Sequence, residues 1–150
     1  IDIEDACLVL KSGYSGKCGL FDLSDGKQVI DFRYDDITLL GFNRALGKDG
    51  SRRYLLDTST GDVIASLPPN IGAAHFNETP VTWIFRAKSY YGIIDEEGNI
   101  LYEDAKDPLT GVTKFRHGFS GGQKDNKKWG ILKSDGTWLV HPAYDYIKLL

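Results

Sequence analysis

The sequence predicts an all-β fold of four tandem repeats, each made of three or four short antiparallel strands. Three observations predict it. A short motif, aromatic-Gly in two of its four copies and followed by an apolar pair in all, recurs at nearly constant spacing. A polar turn ending in Gly follows each copy, and no stretch of ten or more residues carries an apolar stripe at helical period.

In register, the copies are Cys18-Gly19-Leu20-Phe21-Asp22, Arg53-Tyr54-Leu55-Leu56-Asp57, Tyr91-Gly92-Ile93-Ile94-Asp95 and Trp129-Gly130-Ile131-Leu132-Lys133. Their second positions lie 35, 38 and 38 residues apart, and the turn glycines Gly26, Gly61, Gly98 and Gly136 lie 35, 37 and 38 apart. The repeat cores fall near residues 17–31, 52–66, 90–103 and 128–141 of a single domain spanning 1–150.

Each element has a physical reason. Apolar segments flanking a polar turn that ends in Gly read as a β-hairpin, because Gly supplies the positive φ such turns demand. Gly19, Gly92 and Gly130 stand inside a strand, where Gly makes room for a ring or a close backbone. Tyr54 replaces that Gly in the second copy, so this copy is expected to pack differently. Asp22, Asp57 and Asp95 recur at a strand end, where a carboxylate bonds the backbone of the turn that follows. A further strand precedes each hairpin, at Cys7–Lys11, Arg44–Lys48, Ile84–Lys88 and Ser120–Lys124. A fourth strand is expected at Tyr34–Leu40 and again at Tyr144–Leu150.

Aromatic-Gly-Ile/Leu-x-Asp, a Gly turn, then Pro-x-Tyr-Asp-x-Ile resembles the WG β-repeat family, tandem units found mostly in bacterial proteins. The fourth copy carries the resemblance most fully, in Trp129-Gly130, Asp135-Gly136, Pro142, Tyr144-Asp145 and Ile147. Cys18 replaces the Trp in the first copy, the third lacks the Tyr-Asp segment, and the second is degenerate at both ends. The resemblance implies binding or scaffold units without a catalytic set. The chain begins on a strand that follows Tyr-Asp in the repeat and stops on the Tyr-Asp segment, so its ends are expected to pair. That phase suits a small, propeller-like closed ring. An open twisted β-repeat array, or a barrel or sandwich, is the alternative.

Composition narrows the function classes. The 150 residues carry 21 acidic and 18 basic side chains for a net charge of −3, too weak a field to imply nucleic acid as a partner. No apolar run approaches the ~18 residues of a membrane span, and no membrane insertion is expected. Cys7 and Cys18 are expected as buried free thiols, with a bridge across a hairpin as the alternative. A cytoplasmic location is expected. The absence of Met and the start at Ile1-Asp2 suggest that residue 1 is not the natural beginning, which leaves an exported domain open.

No catalytic residue, metal site or cofactor is expected. His75, His117 and His141 lack partners at metal-ligand spacing, and Gly118–Asp125 lacks the Lys-Ser/Thr ending of a phosphate loop. The irregular stretches Leu67–Pro80 and Glu103–Phe119 interrupt the second and third copies. Loops on a repeat scaffold are where binding residues concentrate. His75, Phe76, Asn77, Lys114, Phe115, Arg116 and His117 are therefore the candidates for contacting a protein partner, and buried loop aromatics are the competing reading. The function expected is a non-catalytic protein-binding module, specifically an immunity or antitoxin protein with a cognate toxin as partner. The alternative is an exported ligand- or carbohydrate-sensing domain that stacks Trp129, Trp138, Tyr90 or Tyr91 on a small molecule.

Overall fold

The structure, a computed structural model, describes residues 3–4, 6–76, 80–87 and 89–148. The described residues form sixteen strands and no helix, arranged as four four-stranded sheets. The first sheet runs β1 (Ile3–Glu4), β2 (Cys7–Lys11), β3 (Cys18–Asp22) and β4 (Gln28–Tyr34). The second runs β5 (Asp36–Gly41), β6 (Arg44–Asp49), β7 (Arg52–Asp57) and β8 (Val63–Leu67). The third holds β9 (Gly72–Ala73), β10 (Val81–Arg86), β11 (Ser89–Asp95) and β12 (Ile100–Glu103), and the fourth β13 (Gly111–Val112), β14 (Phe119–Gln123), β15 (Trp129–Lys133) and β16 (Trp138–Tyr144). Within every sheet, neighbours in sequence pair antiparallel. Two compact units result, Ile1–Ile71 with the first two sheets and Gly72–Leu150 with the last two.

The repeated turns are held by the predicted carboxylates. Asp22 Oδ1 accepts from Ser24 N at 2.8 Å, Asp57 Oδ1 from Ser59 N at 2.8 Å and Asp95 Oδ1 from Glu97 N at 2.9 Å. Lys133 holds that position in the fourth copy, and Asp135, two residues on, takes over by accepting from Thr137 N at 2.9 Å. These bonds satisfy turn amides that have no ladder partner.

The strand glycines act through space. A Cβ on Gly130 would lie 2.3 Å from Val140 O and 2.7 Å from Pro142 N, and one on Gly19 would lie 2.7 Å from Ile30 O. The fourth strand crowds in there because it bulges. Cys18 pairs with Tyr34 while Leu20 pairs with Ile30, and Trp129 pairs with Tyr144 while Ile131 pairs with Val140. Extra residues on β4 and β16 thus face each Gly, and Pro142 sits in such a bulge, where no ladder donor is lost. Tyr54 removes the space, and its copy pairs one to one there, Arg53 with Leu67, Tyr54 with Ser66 and Leu55 with Ala65, before the register shifts between Leu55 and Leu56.

The fourth strand departs from the expectation. Tyr34 ends β4 and Asp36 begins β5, so the Tyr-Asp segment is a joint between two sheets rather than one strand. Likewise Tyr144 ends β16, Asp145–Lys148 are not strand, and residues 149 and 150 lie outside the described residues. The carboxylate after the Tyr fixes the joint. Asp35 accepts from Lys17 Nζ and, at 2.7 Å, from Gly50 N in the turn of the second sheet, and Asp145 accepts from Lys128 Nζ. As for the chain ends, which the permuted phase led us to expect as a pair, β1 has β2 as its ladder neighbour and β16 has β15.

Each unit has its own core. In the first, Leu20, Ile30, Tyr34, Ile37, Ala45 and Leu56 pack with the buried free thiols Cys7 and Cys18. In the second, Val81, Trp83, Ile93, Leu109, Phe115 and Leu132 pack together. Burying each large aliphatic side chain contributes about 1.5–3 kcal/mol.

Candidate functional site

The two irregular stretches of the third and fourth sheets come together. Ala74, His75 and Phe76 follow β9, where two other sheets carry a tight turn. In the second sheet that turn has Phe42 and Asn43 at φ of 53° and 56°, and in the fourth His117 and Gly118 stand at 54° and 81°. Both have the paired positive φ of a two-residue hairpin turn. Across from Ala74 and His75, Thr113, Lys114 and Phe115 lead from β13 into the Arg116–Phe119 turn, whose ends exchange N–H···O bonds of 2.8 and 2.9 Å.

Between them lies a cavity of about 180 Å³ lined by Ala74, His75, Val81, Thr82, Trp83, Tyr90, Val112, Thr113, Lys114 and Phe115. Its floor is aromatic. Trp83 stacks on Phe115 with centroids 5.5 Å apart and planes at 22°, and meets Tyr102 edge-on at 6.4 Å. Its walls are pinned by hydroxyls: Thr82 Oγ1 donates to Ala74 O at 2.7 Å, and Thr113 Oγ1 accepts from Gly121 N at 2.7 Å. His75 and Lys114 stand exposed among the lining residues. An apolar recess with cationic and imidazole groups beside it suits an inserted apolar side chain with polar neighbours.

The predicted candidates divide. His75, Lys114 and Phe115 line this cavity, whereas Arg116 and His117 are exposed on the adjacent turn. Phe76 and Phe115 are 1% and 2% exposed, which corrects the expectation that they project as anchors. Both side chains are spent on packing, because a loop that leaves a sheet must still cover the sheet's apolar face. Asn77 lies outside the described residues. Trp83 was missed. It stands in a strand, and its sequence neighbours give no sign that its ring floors a recess. The aromatics named for stacking divide as well: Tyr90 lines the cavity, Trp129 and Trp138 are half-buried, and Tyr91 is buried.

Two further recesses occupy one repeat position. The residue opposite the motif's first position is Tyr34 in the first copy, Leu67 in the second and Tyr144 in the fourth. In the third it is Asp104, whose N–H donates to Tyr91 O at 2.7 Å. The residue that comes next is Asp35 or Asp145 in the intact copies, but Pro68 in the second and Ala105 in the third. A recess of about 290 Å³ beside the second joint is lined by Arg52, Arg53, Tyr54, Ser66, Leu67 and Pro69. One of about 180 Å³ at the third is lined by Arg86, Ser89, Tyr91, Ala105 and Pro108. Among the described residues no group of three or more His, Cys, Asp or Glu side chains could hold a metal ion. No helix among them is long and apolar enough to cross a membrane, which leaves strand-based insertion unaddressed.

No protein-family model and no curated protein matches the chain. Solved structures do match. The computationally designed protein Ika8 aligns at a TM-score of 0.57 and 12% identity, over 95% of this chain and 49% of that one. Hsv2p of Kluyveromyces lactis aligns at 0.53 and 12%, over 91% and 47%, and BamB from Moraxella catarrhalis at 0.50 and 17%, over 90% and 40%. The chain thus spans half or less of each of these three. At such identities the likeness concerns fold alone, which is all-β and propeller-like.

Proposed function

We propose that the chain is a non-catalytic protein-binding β-repeat module of the WG type, and within that class a cytoplasmic immunity or antitoxin protein that binds and neutralises a cognate toxin. One observation carries the binding reading. Both stretches where the repeat breaks down meet at a single recess, with Trp83 and Phe115 beneath and His75 and Lys114 exposed beside it. A rigid aromatic floor costs little entropy when a partner docks, and the flanking charge sets register. The toxin-directed step rests on slight net acidity and the repeat resemblance.

Affinity capture from the native host with the wild-type chain and a His75→Ala/Lys114→Glu variant tests this. Both positions are exposed, so the variant should fold with an unchanged Tm. A stable protein partner recovered by the wild type and lost by the variant is the expected result. Capture of no stable partner would remove the binding class, and equal capture by both would move the interface elsewhere.

The second reading, an exported domain that binds a small ligand or sugar, is favoured by the partial exposure of Trp129 and Trp138. Tyr91 is 4% exposed and its ring is covered by Arg86, so the ring face is closed to sugar stacking. Quenching of tryptophan fluorescence by simple sugars, abolished in Trp129→Ala, would favour this reading over the first.

A further inference from the structure

We propose that the recess bounded by Arg86, Ser89, Tyr91, Ala105 and Pro108 binds a carboxylate group supplied from outside the chain. This recess shares no lining residue with the loop cavity.

In the intact copies the residue that follows the opposed Tyr is an aspartate, and its carboxylate is held at the joint by a lysine. The third copy keeps the joint and loses the carboxylate, because Ala105 stands there. What remains is a recess of about 180 Å³ where the first and fourth copies place an acid, roughly the space of six waters. That admits acetate, or the end of a glutamate side chain.

The lining supplies donors for such a group. Tyr91 is 4% exposed, and its hydroxyl has no hydrogen-bond partner among the described residues. An orphaned buried donor is uncommon and calls for an acceptor. Burial raises the phenol's pKa, so it stays protonated and able to donate at neutral pH. The Arg86 guanidinium stands 5.1 Å from the centroid of the same ring, and Ser89 adds a hydroxyl. A carboxylate bonded by a phenol and flanked by a guanidinium makes charge-assisted hydrogen bonds, the strong kind.

Among the described residues, the acids Asp104 and Asp107, near Ala105 in sequence, bond elsewhere. Asp107 Oδ2 accepts from Lys124 Nζ at 2.8 Å, and Asp104 Oδ1 accepts from Asp107 N at 3.0 Å. Glu103 is the carboxylate whose charge is felt at Tyr91, opposing Arg86 there.

Amide NMR titration of the labelled full chain tests the site, using sodium acetate in one arm and a blocked Gly-Glu-Gly peptide in the other, with sodium chloride at matched ionic strength as the control. Saturable shifts at the Ser89, Tyr91 and Ala105 amides are expected beyond those in chloride. Tyr91→Phe removes only the unpartnered hydroxyl, should fold as the wild type does, and should weaken binding about tenfold. Arg86→Gln should weaken it too. Saturation by both probes identifies a free carboxylate as sufficient, and saturation by the peptide alone identifies an acidic side chain of a protein partner. Absence of saturable shifts with either probe, or unchanged affinity in both variants, overturns the proposal.

Discussion

Trp83 Nε1 donates a 2.9 Å hydrogen bond to Ser120 Oγ, joining β10 of the third sheet to β14 of the fourth where neither residue reaches solvent. Ser120 Oγ in turn donates, to Thr113 O at 2.8 Å or Gly121 O at 3.0 Å. Removing the serine oxygen strands the indole N–H in an apolar core. Ser120→Ala is therefore expected to cost about 1–3 kcal/mol, measured by urea denaturation. Combined with Trp83→Phe, it should cost less than the sum of the two single changes, since the second removes the stranded donor.

The glycines separate by what surrounds them. Gly130→Ala must push Val140 or Pro142 backbone aside and is expected to destabilise by about 1–3 kcal/mol or more. Gly13 has nothing within 4 Å of an added Cβ and is not among the positive-φ glycines, so Gly13→Ala should be neutral or stabilising by about 0.4–1 kcal/mol. Thermal melts of the two variants should move in opposite directions, or leave Gly13→Ala unmoved.

Acid should weaken the fold through its turns and joints. Bonds from Ser24 hold Asp22 below the ordinary aspartate value of 3.8, bonds from Thr137 do so for Asp135, and Lys17 with Gly50 N does so for Asp35. At Asp57 burial opposes the charge, but bonds from Ser59 and Thr60 with the charge of Arg44 outweigh it. Because the folded values lie below the unfolded ones, the stability these groups give is complete above the ordinary value. It is lost as pH falls through the lowered folded values. Tm should be flat from pH 7 to about 5 and drop below about 4, and Asp35→Asn should make that drop shallower.

Both thiols should react only when the fold opens. Cys7 and Cys18 are buried and form no disulfide, and burial, followed by the nearby Asp36, raises the Cys18 pKa and lowers its thiolate fraction. Reaction with a chromogenic disulfide should be slow in native buffer and release two equivalents promptly in denaturant. Fast reaction of either thiol in the native state would contradict the packing described.

Sequence patterns exposed the repeat because its devices are local: a Gly where a strand must bulge, a carboxylate at a turn, and an apolar pair between. Tyr54 did not set its copy apart in the ladder: β7 and β8 pair one to one from Arg53 to Leu55 and shift register between Leu55 and Leu56, a pattern the third copy shares although it keeps Gly92. The sheet switch at Asp35 was not legible. Tyr34 through Leu40 reads as one extended run, and extension persists on both sides of the switch; what changes is the ladder partner, which composition does not encode. Nor did sequence distinguish an aromatic that caps a core from one that offers a contact, and Phe76 and Phe115 proved to be the former. The recess beside Tyr91 needed a ladder to find, because the lost carboxylate shows only once Ala105 is aligned with Asp35 and Asp145 of the first and fourth copies.

Each strand finds its ladder partner in the strand just before or just after it. A chain leaving the ribosome can thus complete one meander before the next is synthesised, with only short loops to close. Destabilising changes in a later meander should then leave the earlier ones able to form, and misfolding should reach towards the N-terminus only where a joint such as that between Asp35 and Gly50 has failed.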